Sequence, residues 1–263
     1  MAAYQNIQLE QRGNVAIVTL NRPDAANGIN LALGHELMQI AIECDENPAI
    51  RAVVLTGAGK MFCAGGDLPS FNAMGDRIAQ GLKELTTYLH AATSRFARMD
   101  APLITAVNGA AAGAGMSLAI AGDYVLAGEA AKFTMAYTAA GLTPDGSSTF
   151  FLPRLVGLRR AQELILTNRR LNAQEALEWQ LVNRVVADAE LLPEAIKLAE
   201  QLANGPTLAF GRAKQLLLST FEESLETQME LEAQGIAAMS KTQDGKEGIA
   251  AFVGKRKAVF EGK

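Results

Sequence analysis

Two glycine-rich segments, each following a short apolar run, are suited to holding negative charge on a substrate oxygen. The first is Val53-Val54-Leu55-Thr56-Gly57-Ala58-Gly59-Lys60-Met61-Phe62-Cys63-Ala64-Gly65-Gly66-Asp67-Leu68. Glycines at 65 and 66 let the backbone approach a ligand closely and turn amides inward. The second runs from Leu103 through Asn108-Gly109 to Gly113-Ala114-Gly115, where a helix is expected to start. A helix start presents unpaired N–H groups and the positive end of its dipole, so it stabilises an oxyanion without any side chain. Either cluster alone reads as a tight turn or a close helix contact. Two in succession can supply two donors to one oxygen.

Side chains near such a hole decide what reaction it serves. Asp145, followed by Gly146-Ser147-Ser148, is either a helix N-cap or a carboxylate free to move protons. His90 is one of only two histidines, and on its helix it reads as a half-buried residue with satisfied nitrogens. His35 reads as surface. Asp67 is suited to fixing the turn after Gly66, and Ser117, inside an apolar helix, to bonding back to its own backbone. Trp179, the single tryptophan, reads as packing.

The elements that must position these residues alternate strand and helix, the pattern of an α/β fold. Residues 7–10 and 15–20 read as a strand pair turning at Gly13, and residues 30–44 as a helix. Residues 52–55 and 103–107 are short buried strands, with a long helix over 75–98 between them. Residues 114–121 read as a short buried helix, and 124–127 and 132–134 as two more strands. Beyond Pro144 the chain reads as almost wholly helical, with a capping-box pair at Asn172 and Glu175. The Gly205-Pro206 break divides a core of residues 1–204 from a helical region of residues 205–263.

Composition bounds the function. The 263 residues carry a net charge of -4, and no dense basic stripe points to nucleic acid; Lys255, Arg256 and Lys257 read as a solvated helix end. No run of 18 apolar residues suggests a membrane span, and the opening MAAYQNIQLE is too polar for a secretory leader. With only Cys44 and Cys63, far apart, the expectation is free thiols in a reducing cytoplasm.

A third block follows the glycine clusters: Lys132-Phe133-Thr134-Met135-Ala136-Tyr137, then Gly141-Leu142-Thr143-Pro144-Asp145-Gly146, then Phe151-Leu152-Pro153-Arg154-Leu155-Val156-Gly157. In that order, from Leu20-Asn21-Arg22-Pro23 to Phe260-Glu261-Gly262-Lys263, the sequence resembles the crotonase family, also called the enoyl-CoA hydratase/isomerase superfamily, over nearly its whole length. The resemblance implies an α/β spiral of ββα repeats carrying a C-terminal helical trimerisation region, with trimers or dimers of trimers as the assembly. It implies an acyl-CoA thioester substrate whose oxygen is held by the amides of Gly66 and Ala114. No separate cofactor and no metal are expected, because the substrate itself carries coenzyme A.

What the resemblance implies about the reaction depends on three positions. Family hydratases carry two glutamates where this chain has Ser117 and Tyr137, so hydration by a glutamate pair is not expected. Several family isomerases carry a catalytic aspartate at the position of Asp145, some acting on phenylacetate-derived rings. The leading expectation is an enoyl-CoA isomerase in which Asp145 shuttles a proton while Gly66 and Ala114 hold a dienolate. The chain also resembles 4-chlorobenzoyl-CoA dehalogenases, whose aspartate, histidine and tryptophan match Asp145, His90 and Tyr137; their ring-lining aromatics match Gly66, Leu82 and Leu89 here. A dehalogenase-like enzyme is therefore the second expectation, and a non-catalytic acyl-CoA binding protein the third. For the CoA moiety, the cation usual after the LNRP motif is replaced by Asp24, so Arg22 or residues elsewhere must compensate. Ala64 is expected to present its backbone to the adenine, with Gly65, Asp67 and Leu68 beside it. Phe252 and Lys255 are expected to reach it from a neighbouring subunit.

Overall fold

Residues of alternating direction on a few short strands set the layering. The computed structural model describes residues 4–263. A hairpin of β1 (Ile7–Arg12) and β2 (Val15–Leu20), turning at Gly13, leads into α1 (Leu31–Glu46), whose first turn is capped by the Asn30 side chain accepting from Leu33 N at 2.9 Å. Three strand pairs then follow: β3 (Ala52–Gly57) with β4 (Met61–Cys63), β5 (Leu103–Val107) with β6 (Ala110–Ala112), and β7 (Tyr124–Gly128) with β8 (Lys132–Thr134). Helices close each turn of the spiral: α2 (Leu68–Ala73) and α3 (Ile78–Arg98) after the first, α4 (Ala114–Ile120) after the second, and α5 (Ser148–Val156) and α6 (Leu158–Thr167) after the third. Corresponding strands stack in parallel, β3 on β5 on β7 and β4 on β6 on β8, which is the ββα spiral that the family resemblance implies.

Period-2 alternation buries both faces of the larger sheet, as parallel sheets require. Val15, Ile17, Ala52, Val54, Ile104, Ala106 and Leu126 pack against Leu191, Ala195 and Ala199 of α8 (Leu191–Ala203). Val18, Val53, Leu55, Leu103 and Val107 pack on the other side with Leu33, Leu37 and Ile40 of α1 and Leu85, Leu89 and Phe96 of α3.

Several sequence expectations are corrected. The glycine-rich stretches contain β4 and β6, three-residue strands too short to show any period, and α2 begins immediately after Asp67. Residues 75–77 form a 3-10 turn ahead of α3. Beyond Pro144 the chain is not wholly helical: β9 (Leu171–Asn172) joins the smaller sheet beside β8, and β10 (Arg184–Val186) completes the larger sheet beside β7. The capping box at Asn172 and Glu175 does start α7 (Ala173–Glu178). Among the described residues no helix is long and apolar enough to cross a membrane.

The chain breaks at Gly205-Pro206 between α8 and α9 (Thr207–Ser219), and α10 (Leu225–Met239) and α11 (Gln243–Val253) follow. Two cations tie this region to the core. Arg51 donates to Thr207 Oγ1 at 3.0 Å and to the carbonyls of Gly205 and Phe260. Buried Lys214 donates to the carbonyls of Phe96 and Ala101 and pairs with Asp123 at 2.7 Å. Replacing Lys214 with methionine keeps the apolar stem but strands a carboxylate and two carbonyls in a largely dry site. Lys214→Met is expected to lower unfolding free energy by about 2–4 kcal/mol in chemical denaturation.

Candidate active site

The stacking of β4 on β6 brings the two glycine clusters together. Gly65 has φ +98°, and a Cβ there would lie 2.7 Å from the Ala112 carbonyl oxygen, so only glycine lets the strand after β4 pass so near β6. Neighbouring amides are consumed by the fold: Gly65 N donates to Cys63 Sγ at 3.4 Å, Asp67 N to Ile29 O at 3.0 Å, and Gly113 N to Thr134 O at 3.0 Å. The amides of Gly66 and Ala114 find no acceptor among the described residues. Ala114 is the first residue of α4, so its N–H also lies at the positive end of that helix.

Both residues line one cleft of about 320 Å³, a size suited to a small acyl group. Ala64 and Leu68 line its wall near Gly66, with Phe71 beneath. Leu82, Lys83, Leu85, Thr86 and Leu89 of α3 form another wall, and Tyr137, Leu142, Thr143 and Asp145 the side facing it. The surface is mostly apolar. Asp145 is its one carboxylate among the described residues, and Lys83 its one cation.

Asp145 is not a side-chain cap for α5. Its main-chain carbonyl accepts from Ser148 N at 3.2 Å and Ser148 Oγ at 2.9 Å, whereas its Oδ1 accepts a short hydrogen bond from the Tyr137 hydroxyl. Ser117 Oγ bonds back to the Gly113 carbonyl at 3.3 Å, as its place in an apolar helix predicts, and also lies 3.0 Å from that same hydroxyl and from the Asp145 carbonyl. Burial, followed by the charge of Asp145 and its hydrogen bond, pushes the Tyr137 phenol far above its ordinary range. Tyr137 therefore stays a donor and fixes one carboxylate oxygen. Oδ2 has no hydrogen-bond partner among the described residues.

The other predicted site residues fall elsewhere. His90 lies on α3 but lines a separate cavity on the far side of residues 145–147, and its Nε2 accepts from Gly146 N at 3.2 Å. Arg22 pairs with Asp67 at 2.9 Å and donates to the Gly28 carbonyl, and neither lines the cleft. Its charge is already neutralised within the fold, so the geometry gives no support to a phosphate contact by Arg22. Asp67 also caps α2 by accepting from Ser70 N at 3.1 Å. Burial raises the Asp67 carboxyl, but hydrogen bonds from Ser70 and Arg22 outweigh it and hold the group below the usual carboxylate range. Phe252 and Lys255 sit at the exposed end of α11 and do not line this cleft. Trp179 lies outside it too, with Arg160 and Arg169 over its ring at 4.8 and 4.7 Å. Burial pushes both thiols, Cys44 and Cys63, up to about 12, so neither is a nucleophile at neutral pH.

Sequence reasoning missed Lys83, Thr86, Phe71 and Thr143. The signal for the first two was present, because positions 82, 85, 86 and 89 fall on one helical face and 83 borders it. Phe71 was hidden because α2 was not expected, and Thr143 because irregular backbone carries no period.

The family model described as Enoyl-CoA hydratase/isomerase matches residues 10–263. The chain is 39% identical over 250 residues to the 1,2-epoxyphenylacetyl-CoA isomerase of Escherichia coli K12, spanning 95% of each chain. It is 35% identical over 252 residues to a 4-chlorobenzoyl coenzyme A dehalogenase of an Arthrobacter species, covering 95% of this chain and 91% of that one. Among solved structures, the enoyl-CoA hydratase of Bacillus anthracis superposes with a TM-score of 0.92 at 35% identity, covering 98% of this chain and all of the other.

The Arg22–Asp67 pair yields a stability prediction. Asparagine at 67 still caps α2 but cannot pair with Arg22, so Asp67→Asn is expected to cost about 1–2 kcal/mol at neutral pH. Because the folded-state pKa is lowered, the contribution is complete above the unfolded value of about 4 and is lost as pH falls through the folded one. Denaturation of both proteins from pH 8 downward should show a constant gap that closes only below about pH 4.

Proposed function

The chain belongs to the enoyl-CoA hydratase/isomerase family, and within it we propose an enoyl-CoA isomerase that moves a double bond along an acyl thioester. The observation that carries this reading is the single cleft carboxylate, Asp145, with one oxygen fixed by Tyr137 and the other unpartnered. In the proposed reaction the thioester oxygen accepts from the amides of Gly66 and Ala114. Oδ2 of Asp145 removes a proton from the acyl chain, and negative charge moves onto the thioester oxygen as a dienolate forms. The carboxyl then returns the proton at a different carbon. One base suffices because no water is added, and the glutamate positions of a hydratase are taken by Ser117 and Tyr137, which instead orient the base.

Substrate recognition is proposed to divide along the cleft. Leu82, Leu85, Leu89 and Leu142 take the acyl group, and Lys83 offers charge to the CoA moiety, whose adenine meets the backbone at Ala64. The C-terminal helices expose Leu217, Phe221, Leu225, Ile236, Phe252 and Val253. That apolar surface supports assembly of copies of this chain as trimers or dimers of trimers, with Phe252 and Lys255 completing a neighbour's CoA site.

A dehalogenase-like reaction is the second reading, favoured by the orientation of Asp145 toward the cleft with His90 of α3 bonded to the next residue, Gly146. His90 must then activate water, yet its Nε2 is occupied by the Gly146 amide and it lines the other cavity. The geometry therefore favours isomerisation.

Conversion of a 3-enoyl-CoA to the 2-enoyl form tests both parts of the proposed site. Asp145→Asn is expected to lower kcat by about 10²–10⁴-fold; an unchanged rate removes Asp145 from the chemistry. Ala114→Pro deletes one amide at the first position of a helix, where proline is tolerated, and is expected to lower kcat by about 10²–10³-fold with the circular dichroism spectrum unchanged. A covalent aryl adduct on mixing with a 4-halobenzoyl-CoA decides for the dehalogenase reading, and binding without turnover of any acyl-CoA decides for a carrier.

A further inference from the structure

The turn that carries Asp145 needs outside support. Gly146 and Ser147 both adopt left-handed backbone, with φ +59° and +73°, the second in a residue with a side chain. Ser147 makes no side-chain cap bond to α5. Gly146 is buried and wedged against α4 and α3, where a Cβ would lie 3.0 Å from Ser117 Cβ and 3.5 Å from Leu89 Cδ2. The partner its N–H finds is His90 Nε2 at 3.2 Å. An amide buried this way without an acceptor is costly, so this bond matters more than an exposed one.

The acceptor is conditional. Only a neutral imidazole has a lone pair on Nε2, whereas imidazolium would set N–H against N–H. His90 is exposed and lines the second cavity, of about 350 Å³, between α3, α5 and the end of α9. Protons therefore reach it from solvent on the side away from the acyl cleft. Charged groups around that cavity are Arg98 on α3, and Glu222, which pairs with Arg154 of α5 at 3.6 Å; Asp145 lies beyond the turn.

We propose that His90 is a positioning residue: in its neutral form it accepts the Gly146 amide and locks the left-handed turn that aims Asp145 into the cleft, and protonation releases that lock. Once the imidazole is protonated, the turn loosens and Asp145 loses its aim. Since the second cavity shares no lining residue with the first, the proposed effect belongs to kcat as well as to kcat/KM. The catalytic consequence rests on the proposed role of Asp145; the locking of the turn does not.

Two readouts on the full-length protein test this. The first is 3-enoyl-CoA isomerisation across pH for wild type, His90→Gln and His90→Ala. Glutamine places an uncharged acceptor near the position of Nε2, so His90→Gln should retain kcat within about threefold at neutral pH and shift the acid limb of kcat to lower pH. His90→Ala should lose roughly tenfold or more in kcat with little change in KM. An unshifted acid limb in His90→Gln, or full kcat in His90→Ala, overturns the proposal. The second is amide hydrogen exchange over residues 144–148, which needs no substrate. Exchange should accelerate in His90→Ala and, in wild type, rise beyond the intrinsic pH trend on acidification, whereas His90→Gln stays protected. Equal protection in all three proteins overturns the proposal even if the isomerase reading stands. If Asp145→Asn keeps full activity while His90→Ala still loosens this segment, the isomerase reading fails and the lock survives.

Discussion

Everything at this site depends on how closely two turns of the spiral approach. At Gly65 a methyl group would meet the Ala112 carbonyl, and at Gly115 it would run into the Cys63 carbonyl. Without side chains at these two points, β4 and the start of α4 lie against each other, and the amides of Gly66 and Ala114 share one cleft. The parallel ladders that set this distance are the same ones that build the core, from β3 on β5 to β4 on β6. The proposed backbone oxyanion hole is in this sense a property of the fold, since bending it requires repacking the sheets.

Side chains contribute a second, more variable layer. Ser117, Tyr137 and Asp145 come from α4, from the segment after β8 and from the turn before α5, and they form one hydrogen-bonded chain. Tyr137 is kept protonated by burial and by the carboxylate it serves, so the chain has a fixed direction: phenol donates, carboxylate accepts. The relatives named isomerase, dehalogenase and hydratase share the frame with this protein. On the proposed mechanism, changing these three side chains on an unchanged frame alters the acid–base chemistry without touching the hole, and family membership alone does not name a reaction.

The sequence was most readable where physics is local and periodic. β2, β3, β5 and β7, the faces of α1 and α3, the capping box at Asn172 and the break at Gly205-Pro206 follow from alternation, helical spacing and cap chemistry. β4, β6, β9 and β10 were not legible, because two or three residues stabilised by neighbours far along the chain leave no local pattern. At the site, residue types suggested Asp145 as a cap or a base, and only the tertiary placement of Tyr137 shows that its side chain is not the cap. Arg22 illustrates the converse: its motif suggests a phosphate contact, but its partner, Asp67, lies 45 residues away and becomes evident only in the fold. Whether His90 faces the cleft or the far side of the Asp145 turn depended on one step along α3, beyond what helical periodicity resolves.

In the proposed mechanism two backbone amides polarise a thioester carbonyl. The most direct measurement is the vibrational spectrum of a 2-enoyl-CoA labelled with ¹³C at the thioester carbon, bound to the wild-type protein and observed by isotope difference. The account predicts that the carbonyl stretch moves to lower frequency on binding, as two donors weaken the C=O bond. A bound carbonyl whose stretch matches that of the free thioester in water, or moves to higher frequency, would contradict it.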